Sequence, residues 1–194
     1  MSNNNLAVLK LFVDNKDTSF TIRKAAQTLN INYKIVYQEI IKLEQEHLLK
    51  IVKHGNAKVC SFNYQYHSKI VEIEDMRKQE IFKNKDIKLI YHRIKTIKSP
   101  FYCLILFGSY AKKTNKKGSD IDICLITDNE KTTSQVQSML SITSLNIDLQ
   151  EFTSEQFLAM LTSKEFNVGN EIMKHSIILY GIESFYEMIH HVKQ

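Results

Sequence analysis

Residues Phe107–Thr127 read "FGSYAKKTNKKGSDIDICLIT". An apolar run, "FYCLILF", leads into the Gly108-Ser109 pair, and a second run, "ICLIT", leads away from two aspartates, Asp120 and Asp122. Short apolar runs bounded by turn residues read as buried strands. A glycine straight after such a strand lets the backbone turn sharply and approach a ligand. A helix starting at that turn presents free N–H groups, which suit a phosphate, and Ser109 adds a hydroxyl donor. The loop "KKTNKK" supplies four more cations. In the second strand, period 2 places Asp120 and Asp122 on one face and Ile121, Ile123 and Leu125 on the other, the core side.

Two like charges on one face repel unless a cation lies between them. Hard oxygen donors suit Mg²⁺, which takes one or two carboxylates together with substrate phosphates and water. A third acid, Asp148, sits in the next β-like run, "NIDLQ", between Ile147 and Leu149. If that strand neighbours the second, three carboxylates converge and can hold two metal ions about 3.5–4 Å apart. Such a clamp stabilises the attacking and leaving oxygens of an in-line displacement at phosphorus. The remainder of this half alternates: a short helix near 109–113, a helix near 131–143, the strand "LNIDLQEFT", and two helices at 153–162 and 168–190.

"GSYAKKTNKKGSDIDI", an apolar strand before it and one acid in a later strand together resemble the signature of the DNA polymerase β nucleotidyltransferase superfamily in its minimal form (MNT). The resemblance covers roughly residues 85–182. It implies that Gly108 and Ser109 hold the β- and γ-phosphates of a nucleoside triphosphate, with Lys112 beside them. It implies two Mg²⁺ ions on Asp120 and Asp122, with Asp148 completing the site and helping to deprotonate an acceptor hydroxyl. ATP is the favoured triphosphate, so AMP would be transferred and pyrophosphate released. The acceptor stays open: a protein tyrosine or serine, as for antitoxin-type MNT proteins, an RNA 3′ end, or a small molecule such as an aminoglycoside. Members often carry arginines where Tyr110 and Lys112 stand here, and glycine where Lys113 stands. Lysine keeps the charge but lacks the guanidinium fork. The sequence after the sheet leaves no room for a fused all-helical HEPN partner or a large acceptor-binding domain.

The front of the chain has a different organisation. "LAVLKLFVDN" reads as a buried first helix, and Thr21 can N-cap "IRKAAQTL". Asn30-Ile31-Asn32 interrupts the pattern before "YKIVYQEIIKLEQEHLL" resumes it, with Val36, Ile40 and Leu43 on one face. Two β-rich runs around Gly55-Asn56 then signal a hairpin. This order resembles a winged helix-turn-helix. Tyr33, Lys34, Tyr37 and Gln38 would face the major groove of DNA, or contact RNA, with Lys50, Lys53 and Lys58 near phosphates. Acidic Glu39, Glu44 and Glu46 on the same helix leave dimerisation as the alternative use. Residues 68–98 form a charged helical stretch that ends at Ser99-Pro100, because the residue before proline leaves the helical region.

The fold class is therefore α+β: a winged helix-turn-helix over 1–66, a helical layer over 67–99, and a small mixed-sheet nucleotidyltransferase domain over 100–194. Charge follows the same division. Residues 1–99 carry 18 basic against 10 acidic side chains, a net of +8, and residues 100–194 carry 8 against 11, a net of −3. An anionic partner gripped by the front half is expected. Cys60, Cys103 and Cys124 have no paired spacing, and Cys103 and Cys124 read as small buried hydrophobes; the seven histidines make no ligand spacing, and His190-His191 reads as surface. No apolar run reaches membrane-spanning length, and "MSNNNLAVLK" lacks the features of a signal peptide, so a cytoplasmic protein without membrane contact is expected. The leading expectation is a Mg²⁺-dependent nucleotidyltransferase coupled to a nucleic-acid-binding module, working as a homodimer. The other is a DNA-binding regulator whose MNT module senses a nucleotide or grips a partner protein. A metal-site nuclease would use the acids but give the Gly-Ser turn no role.

Overall fold

The computed structural model describes residues 3–99, 101–163, 165–190 and 192. Pro100 and His191 lie outside them. The chain divides into two compact units, the first ending at Ile73 and the second running Glu74–Val192.

The first unit contains helices α1 (Asn3–Asp14), α2 (Ile22–Leu29) and α3 (Tyr33–Gln45) with strands β1 (Phe20–Thr21), β2 (Leu49–His54) and β3 (Ala57–Phe62). Thr21 caps α2 through its hydroxyl, which accepts from Lys24 N, and Asn30 ends the helix in the left-handed region at φ 51°. Asn32 caps α3 in the same manner. β2 and β3 pair antiparallel around the two-residue turn Gly55-Asn56, and β1 adds to the other side of β3. β1 is only two residues long, too short to leave a period in the sequence. Val8, Leu9 and Phe12 from α1 share the buried set with Ala25 of α2, Val36, Ile40 and Leu43 of α3, and Cys60 of β3. Glu39, one of the acids on α3, points inward: it accepts from Asn5 Nδ2 at 2.8 Å and Lys42 Nζ at 2.9 Å. Burial pushes its carboxyl up, but those two hydrogen bonds and the Lys42 charge outweigh it and hold the group below its ordinary range.

The charged helical stretch over 68–98 is two helices, α4 (Ser68–Ile81) and α5 (Lys85–Ile94). Asn84 breaks it by capping α5, its Oδ1 accepting from Asp86 N and Ile87 N. The second unit then builds a four-stranded sheet from β4 (Cys103–Leu106), β5 (Ile121–Ile126), β6 (Ile147–Phe152) and β7 (Ile177–Tyr180) in the order β6-β5-β4-β7. β5 and β6 are parallel, and the other two pairs are antiparallel. The intervening helices are α6 (Gly108–Ala111), α7 (Glu130–Ser141), α8 (Ser154–Thr162), α9 (Val168–Lys174) and α10 (Ile182–His190). The expected single helix over 168–190 is therefore wrong: α9, β7 and α10 occupy it. Gly181, at φ 79°, makes the turn between β7 and α10 where a Cβ would press on the Tyr102 carbonyl.

Leu104, Leu106, Ile121, Ile123, Leu125, Ile177 and Leu179 form one buried sheet face with Ile87, Ile90 and Ile94 of α5 and Val136 and Leu140 of α7. The opposite face carries Cys103, Ile105, Cys124, Ile126 and Ile178, all buried, toward α8 and α10. Burial pushes the Cys103 thiol up to about 12 and Cys60 up to about 11, which keeps both as unreactive hydrophobes. A polar knot ties the helices of this unit. Tyr186 Oη donates to Glu74 Oε1 at 2.7 Å, and Arg77 donates to Glu74 Oε2 at 2.6 Å and to the Ser176 carbonyl at 2.8 Å. Glu74 and Tyr186 are fully buried. Tyr186→Phe is expected to cost about 1.5–3 kcal/mol, the range for a hydrogen bond to a charged group, seen as a lower urea midpoint with an unchanged slope. Among the described residues no helix is long and apolar enough to cross a membrane.

Candidate active site

β4 delivers the chain to Gly108, where α6 begins, and β5 returns antiparallel beside it, with Phe107 N donating to the Asp122 carbonyl at 3.0 Å. Gly108 sits at φ 61°, a conformation costly for any other residue. A Cβ there would fall 2.5 Å from Asp122 Cγ and collide with Oδ2. The turn therefore uses glycine twice over, for its backbone angle and for the space the Asp122 carboxylate fills.

The third acid arrives through the parallel pairing of β5 and β6, whose register sets Asp122 directly opposite Asp148. Ile147 and Leu149 pack on the same core as Ile121 and Ile123, so Asp148 and Asp122 share the opposite face. Asp122 is half-buried, whereas Asp120 and Asp148 are exposed. Burial pushes the Asp122 carboxyl above its ordinary range, and the charges of Asp148, Asp120 and Glu171 push the same way against one hydrogen bond from the Ser109 backbone N–H. Asp122 thus feels three further carboxylates, and one of them, Glu171 on α9, had no signal in the sequence.

The convergence is not a closed cage. Asp120 accepts from Asn146 Nδ2, and Asp148 accepts from Gln150 Nε2 at 3.0 and 3.2 Å. In these positions no group of three or more His, Cys, Asp or Glu among the described residues is arranged to hold a metal ion. The donor set itself fits Mg²⁺: it is all carboxylate oxygen, mutually repelling, with Asp122 held at a raised pKa that a cation would reverse. Asn146 and Gln150 stand two residues either side of Asp148, and strand period alone could have marked them as its neighbours.

The lysines after the turn are not loose. Lys112 Nζ pairs with Glu171 Oε1 at 2.5 Å, and Lys113 Nζ pairs with Glu80 Oε1 at 2.7 Å. Lys113 stands at φ 58°, left-handed backbone that favours glycine. Lys113→Gly is expected to leave stability unchanged or raise it by up to about 1 kcal/mol. Relief of about 1–2 kcal/mol of backbone strain is offset by the greater freedom of an unfolded glycine and by an exposed ion pair worth under about 1 kcal/mol. Thermal unfolding of the two proteins at equal pH checks this.

In the first unit the structure brings Tyr33, Tyr37 and Lys58 together. Lys58 Nζ donates to Tyr37 Oη at 3.1 Å and lies 4.9 Å from its ring centre, while the Tyr33 and Tyr37 rings are 6.2 Å apart. Lys53 is the cross-strand partner of Lys58, two cations side by side on the hairpin. Lys34 and Gln38 are exposed on α3. Lys50 is three residues from Lys53 in the same strand and so lies on the opposite face of the ribbon.

Residues 79–184 match the model of the polymerase beta nucleotidyltransferase family, more than half of the chain. The chain belongs to that family. The matched region spans the Gly-Ser turn, all three aspartates and Glu171. A solved structure described as a crystal structure of a toxin–antitoxin with AMP-PNP is similar at 23% identity, over 57% of this chain and 82% of that one, with a TM-score of 0.35. No curated protein matches.

Proposed function

We propose that the second unit is a Mg²⁺-dependent nucleotidyltransferase that moves a nucleoside monophosphate, with ATP the favoured donor, to a hydroxyl acceptor. The observation that carries this reading is the register of β5 on β6, which sets Asp148 opposite Asp122 beside a glycine turn that has room only for that carboxylate. Gly108 lets the backbone come close to the β- and γ-phosphates, and the Ser109 hydroxyl donates to them. Lys112 neutralises part of their charge. Asp120 and Asp122 would hold Mg²⁺, with Asp148 completing the set; bound there, the ions would offset charge on the attacking and leaving oxygens. Asp148 takes the proton of the acceptor hydroxyl as the new bond to the α-phosphorus forms. The bond from that phosphorus to the bridging oxygen breaks, and pyrophosphate departs. Gln150, which donates to both Asp148 oxygens, fixes that carboxylate until the acceptor arrives.

The test is transfer from α-³²P-labelled nucleoside triphosphates, one base at a time, with Mg²⁺ and a cell extract, reading label in protein, RNA and small molecules separately. Label dependent on Mg²⁺ and on Asp122 supports the reading and names the acceptor class. Absence of label with every triphosphate overturns it.

We further propose that residues 1–66 act as a winged helix-turn-helix on nucleic acid, which is supported by the exposed Tyr33 and the Lys53–Lys58 pair. Because Asp120 and Asp148 are engaged by Asn146 and Gln150, a regulator whose second unit binds nucleotide without transferring it is the second reading. Duplex binding that weakens steeply with salt, together with nucleotide binding and no label, would favour that reading.

A further inference from the structure

We propose that Glu171 is a positioning residue of the nucleotide site: its carboxylate holds the Lys112 ammonium in the nucleotide-free protein and releases it to phosphate when a triphosphate binds. The inference rests on the nucleotide reading above and adds a residue to it.

The two partners differ in freedom. Glu171 sits on α9, whose neighbours Ile172 and Met173 are buried, and whose Gly169 would press a Cβ into Met160. Its backbone is therefore anchored. Lys112 is the residue that ends α6, one turn after Gly108, and carries its charge on a flexible four-carbon stem. Its ammonium lies 2.5 Å from Glu171 Oε1, with the two side chains 37% and 28% exposed. That is open enough for a phosphate to reach the ammonium and closed enough for the pair to matter. Lys113, one residue on, is more exposed and bound to Glu80 on α4, so Lys112 is the cation whose partner stands among the site acids. Glu171's charge also reaches Asp122. With Lys112 drawn to phosphate, Glu171 becomes a further uncompensated acid at a site that then needs more positive charge. Exchange thus links triphosphate entry to demand for a cation.

Titration calorimetry of the full chain with ATP and Mg²⁺ tests the exchange. Glu171→Gln is expected to bind about two- to fivefold more tightly, the range a partly exposed ion pair supports. Lys112→Met should bind more weakly by a similar factor, and adding Glu171→Gln to it should tighten binding less than in the natural chain. A purely structural role for Glu171 would give the same change in both backgrounds. Trace acylation of lysines without nucleotide, read by mass spectrometry, is the second measurement: Lys112 should label faster in Glu171→Gln, and Lys117 should not. ATP bound equally well, or less well, by Glu171→Gln than by the natural chain overturns the exchange itself. Unchanged Lys112 labelling overturns the ion pair on which it depends. Faster Lys112 labelling with no binding of any triphosphate by either protein overturns the exchange through failure of the nucleotide reading.

Discussion

Asp122→Asn is expected to lower nucleotidyl transfer by about 10³-fold while leaving the protein folded and slightly more stable at neutral pH. The two effects have one cause. Asp122 is half-buried among Asp120, Asp148 and Glu171, so its charged form is disfavoured in the folded chain and its pKa is raised. For a carboxyl with a raised folded pKa, the native state keeps its proton after the unfolded state has lost it. Stability from this group is therefore greatest in acid and declines as pH rises from the ordinary carboxylate value, about 4, through the folded pKa. Asparagine has the same shape, can still accept from the Ser109 N–H, and carries no charge to repel. Thermal unfolding of the two proteins should coincide near pH 3 (roughly one unit below the ordinary value) and separate, with the variant higher, toward neutrality. The same substitution removes the charge that would bind Mg²⁺, so label transfer should fall with it. A variant that lost stability at neutral pH would show that the carboxylate is structural, and the assignment of the site would fail.

Gly108→Ala is expected to destabilise the second unit by about 2–4 kcal/mol, combining left-handed backbone strain with overpacking. The new methyl would collide with the Asp122 carboxylate, so transfer should fall alongside stability. The contributions separate in a second background. In Asp122→Ala the Oδ2 and Cγ atoms are gone, and the nearest remaining atom, Cβ, lies 3.0 Å from the added methyl. There the cost of Gly108→Ala should shrink toward the backbone part, about 1–2 kcal/mol. Urea unfolding of the four proteins measures the difference. Equal costs in both backgrounds would mean that the turn and the carboxylate are not packed against one another.

The parts of this molecule legible in the sequence are those fixed by neighbours in the chain. Thr21 marks a helix start because its hydroxyl reaches a backbone N–H three residues on, and Gly55-Asn56 marks a hairpin because two residues suffice to reverse the strands. Asp120 and Asp122 betray their common face by alternation with Ile121 and Ile123. Asp148 joins them only if its strand lies beside theirs, and β6 does pair with β5. What stayed hidden depends on distant partners. "IILY" over 177–180 is apolar at every position, so nothing periodic separates it from the helices on either side, and it becomes a strand by pairing with β4, more than seventy residues earlier. Glu171 was invisible for the same reason, because only the placement of α9 brings it to Lys112. Asn84 splits the charged run by capping α5, and a single asparagine there carries its capping signal too faintly to mark the break from sequence.

The order in which the sheet is completed has a consequence for synthesis. β4, β5 and β6 follow one another along the chain, and with them come the glycine turn and three acids. β7 is made last, yet it covers the side of β4 that β5 leaves free. Until it emerges from the ribosome, β4 presents a row of unpaired backbone groups, the kind of edge to which another chain can add. A chain cut after residue 175 is accordingly expected to self-associate, which size-exclusion chromatography would show; a monomeric product would mean that the incomplete sheet protects its own edge. The last strand thus acts as a closing seam, guarding a nascent sheet against its own copies.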